Sequence, residues 1–310
     1  MHRRIFLTGA LAGSTLLLMG HSPYRRWSQY RAFHSVIATD RADARSFPLG
    51  ERLARRLGAR RPDLNATAVR SQDPRTLLSL LKTRQLDLAL LRAEDAYQGL
   101  HGTGPYADLM MPLRALAGLA PEYLHIVVVA ASPVRAIRDL KGERVGVVEE
   151  GDRARAKAER VMAAFGLNPQ SDLRWESLPM DEALPALAAG RVAVCCLEGP
   201  LPVPVLAAGR RPSALRLRLV PHGEAVPALV VRHGPINFRA AVGADRYPEL
   251  DAAGDVLGEP RLLVCREDYP AEKARAMVEA LAGWEELAPR GTPLPIPLHP
   301  ALAARPDAPA

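Results

Sequence analysis

The stretch VIATDRADARSFPLGERLARRL, residues 36–57, contains a strand, a loop and a helix in succession. Its first residues, VIAT, form a short apolar run that is typical of a buried strand. Leu49, Leu53 and Leu57 then recur every four residues, which predicts a helix with one buried face that begins near Phe47. A loop that leads from a strand end into a helix can bind an anion, because backbone N–H groups point out of the helix N-terminus.

This loop differs from the usual anion-binding loop because it contains no glycine. Glycine is common where the backbone must approach a ligand, but here Asp40, Arg41, Asp43 and Arg45 stand between strand and helix. Any pocket that this loop lines is therefore expected to present charged side chains to its ligand.

Strand and helix patterns alternate along the rest of the chain. Further strands are predicted at 65–71, 86–91 and 124–131 and in the segments LKGERVGVV, VAVCCLEG, LRLRLVPH and RLLVCRED. Further helices are predicted at 74–85, 152–165 and 271–284 and in MDEALPALAAGR. Repeated strand–helix units favour a mainly parallel sheet with helices on both faces, which is an α/β fold.

The pattern restarts after LKGERVGVV, which favours two α/β lobes with the second inserted into the first. LHIVVVAA and RLLVCRED are the two segments expected to cross between the lobes. We predict an N-terminal signal or anchor with a linker over residues 1–33, a first lobe over 34–130 with 260–310, and a second lobe over 131–259. Ligands of open α/β sheets bind beyond the C-terminal ends of the strands, so the ligand is expected between the lobes.

Composition gives limited information about function. The chain has 310 residues and a net charge of +7, and only four of its 41 lysine and arginine residues are lysine. No basic patch interleaved with aromatic residues and no zinc-finger spacing accompanies this charge, so no nucleic-acid partner is predicted.

The N-terminal segment, MHRRIFLTGALAGSTLLLMGHSPYRRW, has the features of an export signal. Arg3 and Arg4 precede a stretch without charged residues that is short for a membrane span and suits a signal peptide. RRIFL also resembles a twin-arginine signal. Because Pro23 disfavours the nearby cleavage site, an uncleaved membrane anchor remains an alternative. The protein is expected outside the cytoplasm in either case.

No catalytic, metal or cofactor motif is found in the sequence. Cys195, Cys196 and Cys265 match no metal-site spacing, and we expect three buried free thiols without a disulfide. His125 lies in an apolar strand and is expected to be a core residue. Without an acid–base pair or an activated nucleophile, the chain is not expected to be an enzyme.

Several segments resemble the TAXI solute-binding proteins, the extracytoplasmic receptors of one class of tripartite (TRAP) transporters. The resemblance extends from about Val36 to His299 and rests on the segments FPLGERLARRL, LDLALLRAEDAYQGLHGTGPY, LRALAGLAPEYLHIVVVAASPVRAIRDLKGERVGV, AAFGL and TPLPIPLHPAL. It implies the two-lobed fold of type II periplasmic binding proteins, a small carboxylate as ligand, closure of the lobes around it, and docking onto the membrane subunits of the transporter.

The sequence departs from this family in four loops at the expected ligand site. TDRADARSF replaces a loop rich in Gly, Ser and Thr, and SQDPRT replaces a second loop of similar character. RAE at 92–94 replaces Gln-Ser-Asp, and GDRAR keeps Gly151 and Arg155 of a Gly-Ser-Gly-Thr-Arg loop. The resemblance therefore assigns the ligand site to Thr39, Arg41, Arg45, Phe47, Ser71, Arg92, Arg153 and Arg155.

Three interpretations of these loops remain open. The arginines can serve a more anionic solute, with Arg155 at a helix N-terminus and Arg41 and Arg45 on the facing lobe. The pocket can instead have decayed, which would leave a docking protein or a membrane-anchored sensor. The charges can also be solvated surface groups. Asp40, Asp43 and Asp152 oppose the first interpretation and are expected to pair with these arginines in an empty pocket.

Overall fold

The computed structural model describes residues 30, 34–71, 73–148, 153–206, 215–243, 246–247, 250 and 254–303. The predicted export signal, its cleavage site and the twin arginines lie outside the described residues. Within the described part of the chain, no helix has the length and apolar character that crossing a membrane requires.

The described residues form ten strands, most of them separated by helices. The strands are β1 (Ser35–Thr39), β2 (Ala66–Arg70), β3 (Leu88–Arg92), β4 (Leu113–Val129), β5 (Arg144–Val148), β6 (Arg174–Leu178), β7 (Val194–Gly199), β8 (Leu217–Leu219), β9 (Phe238–Val242) and β10 (Gly254–Arg266). The helices are α1 (Ser46–Arg60), α2 (Pro74–Lys82), α3 (Ala93–His101), α4 (Arg153–Ala164), α5 (Met180–Ala188), α6 (Val226–His233), α7 (Ala271–Leu281) and α8 (Pro300–Ala303).

The first strand–loop–helix unit is formed as its sequence predicts. β1 is buried along its whole length, and α1 begins at Ser46, next to the predicted start. Leu49, Leu53 and Leu57 are all buried and pack in one core cluster with Ile37 of β1. Burial of these leucines fixes the helix on the sheet, and this position directs the loop after β1 toward the second half of the molecule.

The strand order shows two parallel units joined by two long antiparallel strands. The sheet runs β2-β1-β3-β10-β4-β7-β5-β6, with β8 beside β4 and β9 beside β10. β1 pairs in parallel with β2 and β3, and β5 pairs in parallel with β6 and β7. We call the unit around β1 the first lobe and the unit around β5 the second lobe.

β4 and β10 connect the two lobes. They contain 17 and 13 residues, well above the usual strand length of about 5–6 residues. Leu113–Leu119 of β4 pairs with the part of β10 that also binds β3 of the first lobe, whereas Tyr123–Val127 pairs with β7 of the second lobe. The predicted α/β, two-lobed type II binding-protein fold is therefore confirmed. The lobe boundaries proposed from the sequence stay a prediction; the strand pairings place the crossing near Glu122 and Glu259.

Each lobe has an apolar core on both faces of its sheet. Cys195 packs in one core of the second lobe and Cys196 in the other, because neighbouring residues of a strand point to opposite faces. All three cysteines are buried free thiols, as expected. His125 is also fully buried, and its ring contacts Tyr247 and the backbone of Tyr123.

Some element boundaries differ from the sequence predictions. The strand predicted at 124–131 is the second half of β4, which pairs with β7 and β8; the preceding residues extend the strand because they pair with β10. LRLRLVPH contributes only the three residues of β8. The helices α3 and α6 and the strands β6 and β9 are not among the elements predicted from the sequence.

Candidate functional site

A cavity of about 270 Å³ lies between the two lobes. Strands of both lobes end at this cavity and helices begin there, as in other open α/β sheets whose ligands bind beyond the strand ends. The first lobe contributes the loop after β1, Pro74 at the start of α2 and Arg92 at the end of β3, and the second lobe contributes Val148, Arg153, Ala154, Met180 and Glu198.

Three of the predicted site residues line this cavity, and they come from both lobes. Arg45 lies in the loop before α1, Arg92 ends β3, and Arg153 is the first residue of α4. Their side chains are 30%, 12% and 37% exposed, respectively. The structure thus brings together guanidinium groups that are far apart in the sequence.

Arg155 does not line the cavity, although the sequence interpretation placed it at the centre of the site. Two residues along an α-helix correspond to a rotation of about 200°, so Arg155 projects from the other side of α4 than Arg153. Its Nε donates to Glu159 Oε1 at 3.0 Å, and its guanidinium lies 5.5 Å from the centroid of the Trp175 ring. This arginine therefore interacts with its own lobe.

The other predicted residues do not line the cavity. Thr39 is buried, and its hydroxyl donates to the carbonyl of Val69 at 3.1 Å, while its own carbonyl accepts from the backbone N–H of Ser71 at 3.0 Å. The Phe47 ring is covered by the Arg70 guanidinium at 4.2 Å from its centroid. Arg41 is exposed on the loop after β1.

Eight acidic and basic side chains, four of which line the cavity, form a group that we call the cleft charge cluster. Four are cations and four are carboxylates, so their formal charges cancel. The members are Asp43, Arg45, Arg92, Glu122, Lys157, Glu198, Glu259 and Arg261. Buried charges are costly unless each is paired and hydrogen-bonded. Every member of this cluster has an ionic partner, but Arg92 Nε is buried without a hydrogen bond.

Arg92 occupies the centre of the cluster. Its Nη2 lies 2.7 Å from Glu122 Oε2, its Nη1 lies 3.0 Å from Glu198 Oε1, and its Nε lies 3.6 Å from Asp43. Nη1 is also 3.7 Å from Glu259 Oε2. The protein's own carboxylates therefore already bind the Arg92 guanidinium group, which was predicted from the sequence to bind a solute.

Glu198 receives cations from both lobes. Its carboxylate contacts Arg92 of the first lobe and Lys157 of α4, and its backbone carbonyl accepts from Arg45 Nη2 at 3.0 Å. Burial by itself would raise the pKa of Glu198, but Lys157 and Arg92 outweigh this effect and hold the pKa well below its usual range. Glu198 is therefore ionised at neutral pH.

Glu122 and Glu259 face each other where β4 and β10 cross between the lobes. Two like charges directly across a strand pair repel each other, so this arrangement needs cations nearby. Arg261 Nη2 binds Glu122 at 2.5 Å, and Lys157 Nζ binds Glu259 at 2.6 Å. Burial opposes ionisation of Glu122, yet Arg261 and Arg92 keep its pKa below the usual value.

Asp43 and Asp40 differ in their partners although both follow β1. Asp43 pairs with Arg261 and Arg92, and these cations lower its pKa against the opposing effect of burial. Asp40 accepts from the backbone N–H of Ala42 at 2.9 Å and forms no ion pair with the residues that the structure describes. Burial raises its pKa above the usual value. Asp43 is therefore paired with arginines, but these are Arg92 and Arg261 and not Arg41, Arg45 or Arg155, which the sequence led us to expect. The loop residue Asp152 lies outside the described residues.

Two further ion pairs connect the lobes at the rim of the cleft. Arg153 Nη1 lies 2.9 Å from Asp95 Oδ2, and Asp95 also accepts from the Tyr106 hydroxyl at 2.6 Å. Arg160 Nη2 lies 2.6 Å from Glu94 Oε1. Both arginines belong to α4 and both carboxylates to α3, so the helices of opposite lobes are joined directly.

Sequence reasoning missed most of the carboxylates in this cluster, although a signal was present. Glu122 and Glu259 interrupt otherwise apolar strands, and each stands next to a proline. Lys157 lies among buried residues of α4. A charged residue in such a position must find a counter-charge when the chain folds.

Among the described residues, no group of histidine, cysteine and acidic side chains could hold a metal ion.

Comparison with known proteins identifies the family and gives low similarity to solved structures. The sequence matches the NMT1-like family over residues 37–300. It is similar to the periplasmic aliphatic sulphonate binding protein SsuA from Escherichia coli, with 18% identity over 80% of this chain and 72% of that one and a TM-score of 0.44. It is also similar to the probable amino-acid transporter binding protein ytmK from Bacillus subtilis, with 14% identity over 80% and 90% of the chains and a TM-score of 0.42. These values are too low to transfer a solute to this chain.

Proposed function

Because the chain belongs to the NMT1-like family, we propose that it is an extracytoplasmic solute-binding protein that holds a small carboxylate-bearing solute between its lobes. The observation that carries this proposal is the interlobe cavity, which Arg45 and Arg92 line from one lobe and Arg153 from the other. We assign the protein to the TAXI class of TRAP transporters on the sequence resemblance, with the membrane subunits of such a transporter as partners. The role is binding rather than catalysis, and it requires no cofactor.

Arg153 and Arg45 are the residues best placed to bind the solute. Arg92 is mostly buried behind them and already holds two carboxylates of the protein, whereas Arg153 and Arg45 are more exposed toward the cavity. A guanidinium group binds a carboxylate through two parallel hydrogen bonds. The N-terminus of α4, where Arg153 lies, adds a favourable dipole for an anion.

The charge of the cavity limits the charge of the solute. Asp40, Asp43 and Glu198 line the same cavity as the three arginines, so the formal charges of the lining cancel. A strongly anionic solute would have to approach these three carboxylates. A solute with a single carboxylate and a remaining polar or apolar body therefore fits better than a multiply charged anion.

Calorimetric titration with a panel of small monocarboxylates, dicarboxylates and amino acids tests the proposal. For a ligand found in this way, Arg153→Gln should weaken binding at least tenfold, because it removes a charge-assisted contact that the bound solute covers, worth about 2–5 kcal/mol. Arg155→Gln is the matched control, because Arg155 lies on the same helix with similar exposure but does not line the cavity, and loss of its partly exposed pair with Glu159 should change affinity by well under about 1 kcal/mol. Equal effects of the two substitutions, or no binding by any acid, would contradict the proposed site.

A membrane-anchored sensor or accessory protein of the same fold is the second candidate. The observation that favours it is the cleft charge cluster, in which the protein's own carboxylates neutralise the arginines. Mass spectrometry of the mature protein distinguishes the two functions, because an intact N-terminal segment favours the anchored sensor. Growth on the identified solute that depends on the membrane subunits of a TRAP transporter supports uptake.

A further inference from the structure

The cations of α4 form a continuous stripe that faces the first lobe and the crossing strands. Arg153, Lys157 and Arg160 are spaced at i, i+4 and i+7, which places them on one side of the helix. Their carboxylate partners are Asp95 for Arg153, Glu198 and Glu259 for Lys157, and Glu94 for Arg160. All three turns of the helix therefore take part in contacts with the protein's own carboxylates toward the cleft.

The Glu198 carboxylate lies between a cation of the first lobe and a cation of the second. One carboxylate oxygen contacts Arg92, which lies 106 positions earlier in the sequence on the first lobe, and the same oxygen contacts Lys157 of the second lobe. A two-lobed protein would bind a solute carboxylate in the same way, between cations of both lobes. Here the carboxylate belongs to the end of β7.

The burial of these groups makes the contact strong. Lys157 and Glu198 have side chains that are each 7% exposed, so neither ion is extensively hydrated in this state. Opening the lobes would separate Arg92 from Glu198 and admit water to the cavity that both residues line. The attraction lost across the cleft opposes this opening, and it is stronger for groups of low exposure because water and salt screen them less.

We propose that Glu198 acts as a built-in ligand, and that its carboxylate, together with the rim pairs Arg153–Asp95 and Arg160–Glu94, keeps the lobes closed without a solute. This inference rests on the proposed function, because it takes the interlobe cleft to be the solute site. It differs from closure driven by solute binding. A solute then enters a cleft that is already closed around the Glu198 carboxylate. The carboxylate of the solute binds Arg153 and Arg45 or displaces Glu198.

Solution scattering tests whether the closed state needs a solute. The full chain is unfolded in guanidinium chloride, dialysed to remove any co-purified solute, and refolded. A compact chain of this length has a radius of gyration of about 19 Å, and we expect this value for the solute-free wild type. The charge-balanced variant Lys157→Met with Glu198→Gln keeps the cluster neutral and should give a larger radius. A solute-free wild type that is as expanded as this variant would overturn the proposal.

Chemical rescue tests the role of the Glu198 carboxylate itself. Glu198→Ala removes the carboxylate and leaves Arg92 and Lys157 facing a space of carboxylate size. Added formate or acetate should therefore raise the unfolding temperature of this variant and leave that of the wild type unchanged. Glu182→Ala is the control, because Glu182 is exposed and pairs with Arg191 at 3.1 Å outside the cleft. If formate and acetate have no effect on Glu198→Ala, Glu198 does not hold an anion position.

The same experiments separate this inference from the proposed function. A closed solute-free wild type that binds no solute from the carboxylate panel supports the built-in ligand and contradicts solute binding. A wild type that is open without solute and contracts when a carboxylate binds contradicts the built-in ligand and supports solute binding.

Discussion

Lys157→Met is the perturbation that tests the cleft charge cluster most directly. Lys157 Nζ lies 2.6 Å from Glu259 Oε2 and also contacts Glu198, and its side chain is 7% exposed. Methionine has a similar length but no charge, so the variant leaves four carboxylates facing three cations. The substitution removes the charge without creating a large cavity.

The expected magnitude follows from the geometry. At an effective dielectric constant of about 20, two unit charges about 3 Å apart attract with roughly 5 kcal/mol, and burial of the ions offsets part of this gain. Removing one partner of a buried pair typically costs about 3–5 kcal/mol, because the remaining charge is unpaired. We therefore expect the free energy of unfolding to fall by about 3–5 kcal/mol in Lys157→Met.

A double-mutant cycle then separates lost pairing from lost packing. Glu198→Gln combined with Lys157→Met restores charge balance, and the double variant should be destabilised less than the sum of the single variants by at least about 2 kcal/mol. Urea denaturation followed by both fluorescence and circular dichroism provides the free energies and checks that the transitions coincide. Arg155→Met is the control and should cost less than about 1 kcal/mol, because its pair with Glu159 is partly exposed. Additive single effects, or a cost below about 1 kcal/mol for Lys157→Met, would refute the reasoning.

Three further outcomes follow from the structure. Burial lowers the pKa of His125 to about 3 and that of His222 to about 4, so both side chains are neutral in the folded protein. The free energy of unfolding should therefore fall by roughly 4 kcal/mol between pH 7 and pH 5, because the unfolded histidines gain protons below about pH 6.5. Urea titrations at both pH values measure this loss, and about half of it should disappear in a stable variant lacking His222. Gly166→Ala should lower the free energy of unfolding by about 1–2 kcal/mol, because the φ of +86° at Gly166 disfavours a side chain. Gly58 lies inside α1 with open space around it, so Gly58→Ala should raise the free energy of unfolding by about 0.5–1 kcal/mol in the same denaturation assay. The three buried cysteines should react with a thiol reagent only after unfolding, because burial raises the pKa of each thiol; rapid reaction in the native protein would show that the cores open easily.

The local elements were predictable because they depend on residues that are close in the sequence. Leu49, Leu53 and Leu57 define the buried face of α1, and the apolar runs of β1 and β7 define strands. The alternation of these elements predicted an α/β fold with two lobes. The limits of some elements were wrong, as in β4, where pairing with β10 extends the strand over 17 residues, and the short elements α3, α6, β6 and β9 were not predicted.

The candidate site was predictable only in part. The charged loop after β1 and the arginines at 92 and 153 were identified as pocket residues, and these arginines do line the cavity. Arg155 was predicted together with Arg153, because the sequence does not specify which face of α4 turns toward the cleft. That orientation is decided by burial of Ala154, Ala158 and Val161 against the second lobe.

The sequence by itself therefore determined the helices, the strands, the two-lobed α/β class and the presence of charged groups where a ligand was expected. Only the tertiary structure decided which charges meet. Glu198 contacts Arg92 across 106 positions of the chain, and Arg261 contacts Asp43 across 218. Propensity and periodicity are local properties, whereas the energy of a buried charge depends on the counter-charge that the fold brings beside it.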